Sequence, residues 1–401
     1  MRTIALSLSL VLILAIPWEG MIELPGLGTA AKFLGLAVAV FWLATIIITG
    51  RFRKPGPFHI VVSLFVLWNA VSVFWSADAN RSLAHVATWA QLLVLVLILW
   101  DLYTTRAALL AGLQAYVLGA YVGIGSAVAN YIAGNPAYTN YQRFSSAEMN
   151  PDGFGFIVVL GIPVAWYLAS SKSVTRIGRL LRLANYAYVP AAFLGVALSG
   201  TRTAMIAAVP AMAFGLPSLT RLRLSARVVI LLLLTSAVFL LLPSVQPLKS
   251  FQRLGTTYVE LTEGDLNNRT NNWREGLASF AEHPLIGVGS NMYRSVNSLG
   301  KVAHNSFLSV LVEVGLIGLI LFGMILAIAV SQAWVLPKWD SRFWIATLLV
   351  WAIGASALTW EYRKTTWLFL GLLMASAALT SHRDEEVPFV RRSHPEVQAI
   401  P

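Results

Sequence analysis

Apolar runs of about 20 residues follow one another along nearly the whole chain, parted by short polar turns, and one long polar stretch interrupts them. A bilayer core about 30 Å thick is crossed by about 20 apolar helical residues. On that measure the chain predicts about twelve membrane-spanning helices, centred on 4–18, 29–49, 58–76, 83–101, 107–132, 153–170, 184–199, 203–219, 228–243, 305–334, 343–359 and 365–381. The fold class that follows is an all-α polytopic membrane protein, with residues 1–380 as one integral membrane domain. The interrupting stretch, 243–303, reads as a long loop containing short helices. Residues 381–401 are polar and carry prolines, and they are expected to form a disordered tail.

Composition agrees with this picture. Hydrophobic residues make up 57% of the chain and charged residues 12%, which places it outside the soluble globular range. Cysteine is absent, so disulfides, thiolate nucleophiles and cysteine-ligated metals are excluded. The formal charge of +11 is scattered over loops between apolar spans, with no basic helix or aromatic-basic module to suggest nucleic acid.

Membrane topology accounts for the charge better. With a cytoplasmic N-terminus, the loops and termini on that side carry seventeen basic residues, Arg2, Arg51, Arg53, Lys54, Arg106, Lys172, Arg176, Arg179, Arg182, Arg221, Arg223, Arg227, Lys338, Arg342, Arg383, Arg391 and Arg392. The short loops opposite carry six, Lys32, Arg81, Arg143, Arg202, Arg363 and Lys364. That bias follows the positive-inside rule. It places both termini in the cytoplasm and has the 243–303 loop face outward. The first span resembles a signal peptide, but Pro17-Trp18-Glu19-Gly20 offers no small-residue cleavage site, so a retained helix is expected.

Candidate chemistry gathers on the loop side. Arg202 sits in the very short turn Ser199-Gly200-Thr201-Arg202, where Gly200 lets a backbone or ligand approach and the guanidinium can engage phosphate bidentately or simply anchor at the interface. Residues 268–281 read as an amphipathic helix with Trp273, Leu277 and Phe280 on one face and Asn268 as N-cap. Arg269 would then lie in a first turn that favours anions, unless the helix rests on the membrane surface with Arg269 and Arg274 solvated. His283-Pro284-Leu285-Ile286-Gly287-Val288-Gly289 reads as a helix stop and a tight turn.

His304 stands where the loop meets an apolar span. There it can be half desolvated yet reach substrate from water as a base, or be an ordinary interfacial side chain. Glu313, inside that span, is either functional or held by a buried partner. Glu361 and Arg363, at another turn on the same side, read as an interfacial ion pair.

The order of these features resembles the O-antigen ligase and O-antigen polymerase superfamily of bacterial inner-membrane glycosyltransferases. The resemblance rests on Ser199-Gly200-Thr201-Arg202, Arg269-x-x-x-Trp273, the His283–Gly289 motif, His304-Asn305-x-x-Leu308 and Glu313-x-Gly315-Leu316-Ile317-Gly318, and its signature region covers 195–320. Weaker likenesses lie at Val71–Asp78 and at Arg143-Phe144-Ser145 with Asn150-Pro151, where Asp152 departs from the expected asparagine.

Such a resemblance implies a glycan donor on undecaprenyl pyrophosphate and periplasmic transfer without a cofactor or metal. The acceptor is lipid A-core for a ligase, or another lipid-linked repeat unit for a polymerase; the ligase-like reading is taken here, with the polymerase as the alternative. Position by position, His304 matches the general base, and Arg202 and Arg269 match the pyrophosphate-binding arginines. Arg143, Arg274 and Glu313 are secondary candidates.

The residues fit that chemistry. Two arginines can stabilise a pyrophosphate leaving group, and the loops lack the Asp-x-Asp pair that would hold a divalent ion. A single base suffices for inverting displacement, whereas retention wants two close carboxylates. The competing class, a twelve-span transporter, would show matching halves and midplane polar groups, whereas here polarity gathers on one face. A non-catalytic glycan-binding protein would not require the histidine and arginines together.

Overall fold

The computed structural model describes residues 1–24, 28–147, 149–171, 175–219, 224, 227–228, 231–232, 235–236, 239–240, 243, 246–262, 264 and 268–385. Each apolar run among them forms a helix: α1 (Arg2–Ala15), α2 (Ala30–Thr49), α3 (Pro57–Val71), α4 (Ala79–Leu102), α5 (Arg106–Ile132), α6 (Pro151–Ala169), α7 (Arg176–Ser199) and α8 (Arg202–Leu219). After the long loop come α12 (Ser306–Val335), α13 (Lys338–Ala355) and α14 (Lys364–Glu385). The loop itself holds α9 (Lys249–Gly255), α10 (Thr257–Thr262) and α11 (Arg269–Glu282). Eight of these helices are long and apolar enough to cross a membrane, and α8 and α14 contain shorter apolar helices. The span expected at 228–243 lies largely outside the described residues, as does the tail from 386 onward.

Two helix starts fall earlier than hydropathy suggests. α7 begins at Arg176 rather than near 184, and α13 at Lys338 rather than near 343. In both cases a charged first turn continues the helix beyond the apolar run, so Arg176, Arg179 and Arg182 sit on a helix and not in a loop.

α6 forms the centre, packed against α5, α7, α8 and α13. Asn150 caps it by accepting from the Asp152 N–H at 2.8 Å, and Pro151 occupies its first position. Every residue from Phe154 to Ala169 is buried. Small residues permit this crowding: a Cβ on Gly155 would lie 2.7 Å from the Ser199 hydroxyl, and one on Gly161 would lie 2.2 Å from that of Tyr188.

α12 breaks within the membrane-spanning run. Gly315 takes φ 67° and ψ −169°, and five of the backbone groups around it find partners elsewhere in the chain. Val288 and Gly289 donate their N–H groups to the carbonyls of Val312 (3.0 Å) and Glu313 (2.8 Å), and the Trp68 indole donates to that of Val314 (2.8 Å). Leu316 and Ile317 in turn donate to the carbonyls of Pro284 (2.9 Å) and Leu285 (3.3 Å). Irregular backbone survives at membrane depth only with such partners. The fit requires glycine, because a Cβ on Gly315 would lie 2.2 Å from the Leu285 carbonyl oxygen and one on Gly287 2.6 Å from that of Glu313. The 283–289 motif is thus a turn that docks into the broken helix.

Candidate functional site

The turn between α7 and α8 is built around Gly200, which ends α7 in the left-handed conformation (φ 59°). A Cβ there would lie 2.8 Å from the carbonyl oxygen of Ser250, so glycine lets α9 dock directly onto the turn. Three arginines from three segments then converge. Arg143 is 7% exposed and donates to the Ser199 carbonyl (2.6 Å), the Asp152 carboxylate (2.6 Å) and the Thr201 hydroxyl (3.3 Å). Arg253, from α9, donates to the Gly200 carbonyl and lies over the Tyr141 ring at 5.8 Å. Arg202 donates to the Arg253 carbonyl (3.3 Å) and to the Thr256 hydroxyl (2.7 Å). Burial, and then the charges of Arg143 and Arg202, push the Arg253 guanidinium down to about 10, despite the opposing carboxylate of Asp152. Cations crowd here.

His304 is fixed from every side. The carbonyls of Val302 and Ala303 accept from Asn272 (2.9 Å) and the Trp273 indole (2.7 Å) of α11. The His304 N–H donates to the Thr359 hydroxyl at 2.9 Å, and Asn305 caps α12 by accepting from Phe307 and Leu308. Between these anchors His304 takes φ 51°, a region that non-glycine residues rarely occupy and that persists only where the surroundings impose it. Burial, then the charge of Arg269, pushes its imidazole down to about 4; Lys301 and Arg294 add to this and Asp152 opposes it. The imidazole is therefore neutral at pH 7, and His304, Arg269 and Asp152 lie within electrostatic reach of one another.

Arg269 opens α11, as its spacing predicts, and is half-buried. Asn268 occupies the N-cap position in the left-handed conformation (φ 64°), but its side chain makes no capping bond. The buried face of α11 also differs from the amphipathic reading. Asn272 and Gly276 are buried while Leu277 is 47% exposed. The Tyr293 hydroxyl explains the choice: it donates to the Asn272 carbonyl at 2.9 Å, and a Cβ on Gly276 would lie 2.5 Å from it. Arg274 is exposed, and His283 is an exposed residue at the C-cap of α11.

Glu313 spends its carboxylate on the backbone N–H groups of Asn291 (2.8 Å) and Tyr293 (3.3 Å), which ties the docked turn to α12. Glu361 is no interfacial ion pair. It is 3% exposed, and its Oε2 is buried without a hydrogen-bond partner. Burial raises its carboxyl to about 7. Arg363 lies instead over the rings of Tyr362 (5.2 Å) and Trp360 (5.7 Å). Arg253, the Asp152 partner of Arg143 and the Thr359 anchor of His304 are missed by sequence reasoning. Asp152 left one trace there, as a departure beside Asn150.

Residues 187–323 match the O-antigen ligase family. The exopolysaccharide production protein ExoQ of Rhizobium meliloti (strain 1021) is 26% identical over 323 residues, which cover 73% of this chain and 70% of that protein. The matched segment holds the Gly200 turn, α9 to α11, His304 and the broken part of α12. The chain is thus a multi-pass membrane protein that is similar to the O-antigen ligase family over 187–323 and to ExoQ over a longer stretch.

Proposed function

We propose that the protein transfers a glycan from undecaprenyl pyrophosphate to a hydroxyl of an acceptor at the periplasmic face, without a metal and with inversion. The observation that carries this reading is the convergence of Arg143, Arg202 and Arg253 on one turn, with Asp152 bound to Arg143 and, like Arg269, within electrostatic reach of a neutral histidine. Arg202, Arg253 and Arg269 hold the pyrophosphate, and Arg143 with Asp152 sets the turn that carries Arg202.

In the transfer step, the His304 imidazole takes the acceptor hydroxyl proton as that oxygen attacks the anomeric carbon. The bond from that carbon to the pyrophosphate oxygen breaks, and undecaprenyl pyrophosphate leaves with the electron pair. Arginines directed at the developing phosphate charge lower the barrier, and the base contributes about 10²–10⁴-fold. His304→Ala should therefore reduce transfer in reconstituted vesicles by about that factor while the protein still folds and inserts; transfer at the parental rate would sink the assignment.

The acceptor divides two readings. The family description favours ligation to lipid A-core, whereas the name of the relative ExoQ favours extension of an exopolysaccharide. Deletion of the gene followed by gel analysis of surface glycans separates them. Loss of a ligase leaves bare lipid A-core and long chains on the lipid carrier, and loss of a polymerase leaves single repeat units. The cysteine-free sequence also allows the proposed topology to be read by labelling single cysteines with an impermeant maleimide. A cysteine at Ser298, which is exposed, should label from the periplasm.

A further inference from the structure

At the loop end of the bundle, two cavities share Ile16 and Lys364. One, about 450 Å³, is an apolar groove lined chiefly by α1, α2 and α4, including Leu12, Gly35, Leu36, Ala39, Leu92 and Ile98. It follows α4 from Thr88 to Ile98, about 15 Å at 1.5 Å per residue. The other, about 320 Å³, is of mixed polarity and is lined by Glu19, Asn150, Ile157, Trp360, Arg363 and Thr365. Lys364 stands at the junction, bonded to Glu19, and Lys32 lines the groove.

The surroundings select the occupant. An apolar slot of this length reaches about halfway through a hydrocarbon core of about 30 Å. Its size falls within the range of about 300–1,000 Å³ usual for one small ligand and suits one chain better than a bundle of acyl chains. Lys32 lines the slot, Arg363 lines the pocket and Lys364, paired with Glu19, stands at their junction, so three cations against one carboxylate fit an anionic head group.

The position of the pocket assigns it to the second substrate. Asp152 turns to Arg143 and the arginine cluster, whereas its neighbours Asn150 and Gly153 line the pocket. Trp360, another wall of the pocket, follows Thr359, which holds the His304 backbone. Two cationic sites thus flank the first turn of α6, with the histidine segment anchored beside them.

We propose that the groove and pocket form the acceptor site, in which a single polyisoprenoid chain lies against α1, α2 and α4 and its phosphate sits at Lys364, Arg363 and Lys32. This rests on the transfer reading above and commits the acceptor to a lipid phosphate-linked glycan. The test uses the full chain in nanodiscs and a benzophenone-bearing polyprenyl phosphate as probe. Wild-type protein should crosslink on α1, α2 or α4. Gly35→Trp and Ala39→Phe, which fill the groove, should each reduce that crosslink at least about tenfold and raise KM for a lipid-linked acceptor with little change in kcat, a split that separates ground-state binding from chemistry. Lys364→Met should weaken binding of the probe more than that of the uncharged polyprenol.

Melting temperature screens the two groove variants, and whichever keeps the parental value is decisive; should both melt early, Lys364→Met decides. An unchanged crosslink in a folded groove variant, or equal probe and polyprenol binding in Lys364→Met, overturns the proposal. So does displacement of the probe by phosphatidylglycerol at equal concentration, or by a multi-acyl lipid A in preference to polyprenyl phosphate. If wild-type protein transfers glycan and a folded groove variant keeps its KM, the groove inference falls alone. If wild-type protein crosslinks in the groove but transfers nothing, the transfer reading falls and takes the acceptor assignment with it.

Discussion

Arginine serves opposite purposes at the two ends of the helix bundle. At the end away from the long loop, Arg106 meets Asp340 through both terminal nitrogens (3.0 and 3.1 Å) and donates to Tyr167 at 2.6 Å. Nearby, Asp101 accepts from the Arg53 backbone N–H (2.9 Å) and the Trp42 indole (3.1 Å), with Arg2 at 3.5 Å. Arg106 and Arg2 each have a carboxylate there, and the Arg53 guanidinium donates to the Trp100 carbonyl and lies over the Trp100 ring. At the loop end, Arg143, Arg202 and Arg253 crowd one turn, with Asp152 bound to Arg143. Paired charges tie helices together, whereas crowded like charges repel until an anion arrives. The first arrangement is complete without a ligand, and the second gains from one.

Removing charge from each end should therefore have different consequences. At the loop end, Arg202→Ala and Arg253→Ala should each lower kcat/KM for glycan transfer by about 10²–10³-fold, the scale of losing one donor to developing charge. Inorganic pyrophosphate should inhibit both variants less well than the parent. Retention of parental inhibition by both variants would show that the cluster does not hold pyrophosphate.

At the other end, Asp340→Ala should cost stability and leave kcat/KM unchanged. Arg106 and Tyr167 lose their acceptor, but the Arg106 side chain is 43% exposed and water replaces part of the bond. The expected loss lies toward the lower end of about 1–3 kcal/mol, read as a lower melting temperature in detergent. A loss of transfer with no change in melting would erase the distinction between the two ends.

How much of this was legible in the sequence follows from what each feature depends on. Helices such as α2 and α5 were readable because a span needs only a local apolar run. The break in α12 was not, because 305–334 is long and mostly apolar and the groups that pair the backbone around Gly315 come from Pro284 to Gly289, some thirty residues upstream, and from Trp68. His304, Arg202 and Arg269 were singled out by the order of short motifs. Arg253 belongs to no such motif; it enters the cluster only because Gly200 lets α9 dock. The face of α11 was misjudged because a hydrogen-bonded tyrosine, rather than apolar burial, selected Asn272 and Gly276.

The smallest expected effect concerns pH and couples the cluster to the base. His304 is held at about 4 by burial first and by the Arg269 charge next. The free enzyme governs the profile of kcat/KM, so its acid limb should fall near pH 4 rather than near the ordinary histidine value of about 6.5. Bound pyrophosphate adds negative charge beside the ring, so the limb of kcat should lie at higher pH. Arg269→Gln removes the largest cationic contribution and should move the kcat/KM limb upward, whereas Asp152→Asn should move it downward. Stability runs with the same sign: because the folded value lies below the unfolded one, the unfolded chain binds more protons between about 4 and 6.5. The contribution of His304 is thus whole above about 6.5 and is lost as pH falls toward 4, and Arg269→Gln should narrow that window from below. Coincident acid limbs in the parent and both variants would mean that the arginine-rich site and the histidine do not share one electrostatic field.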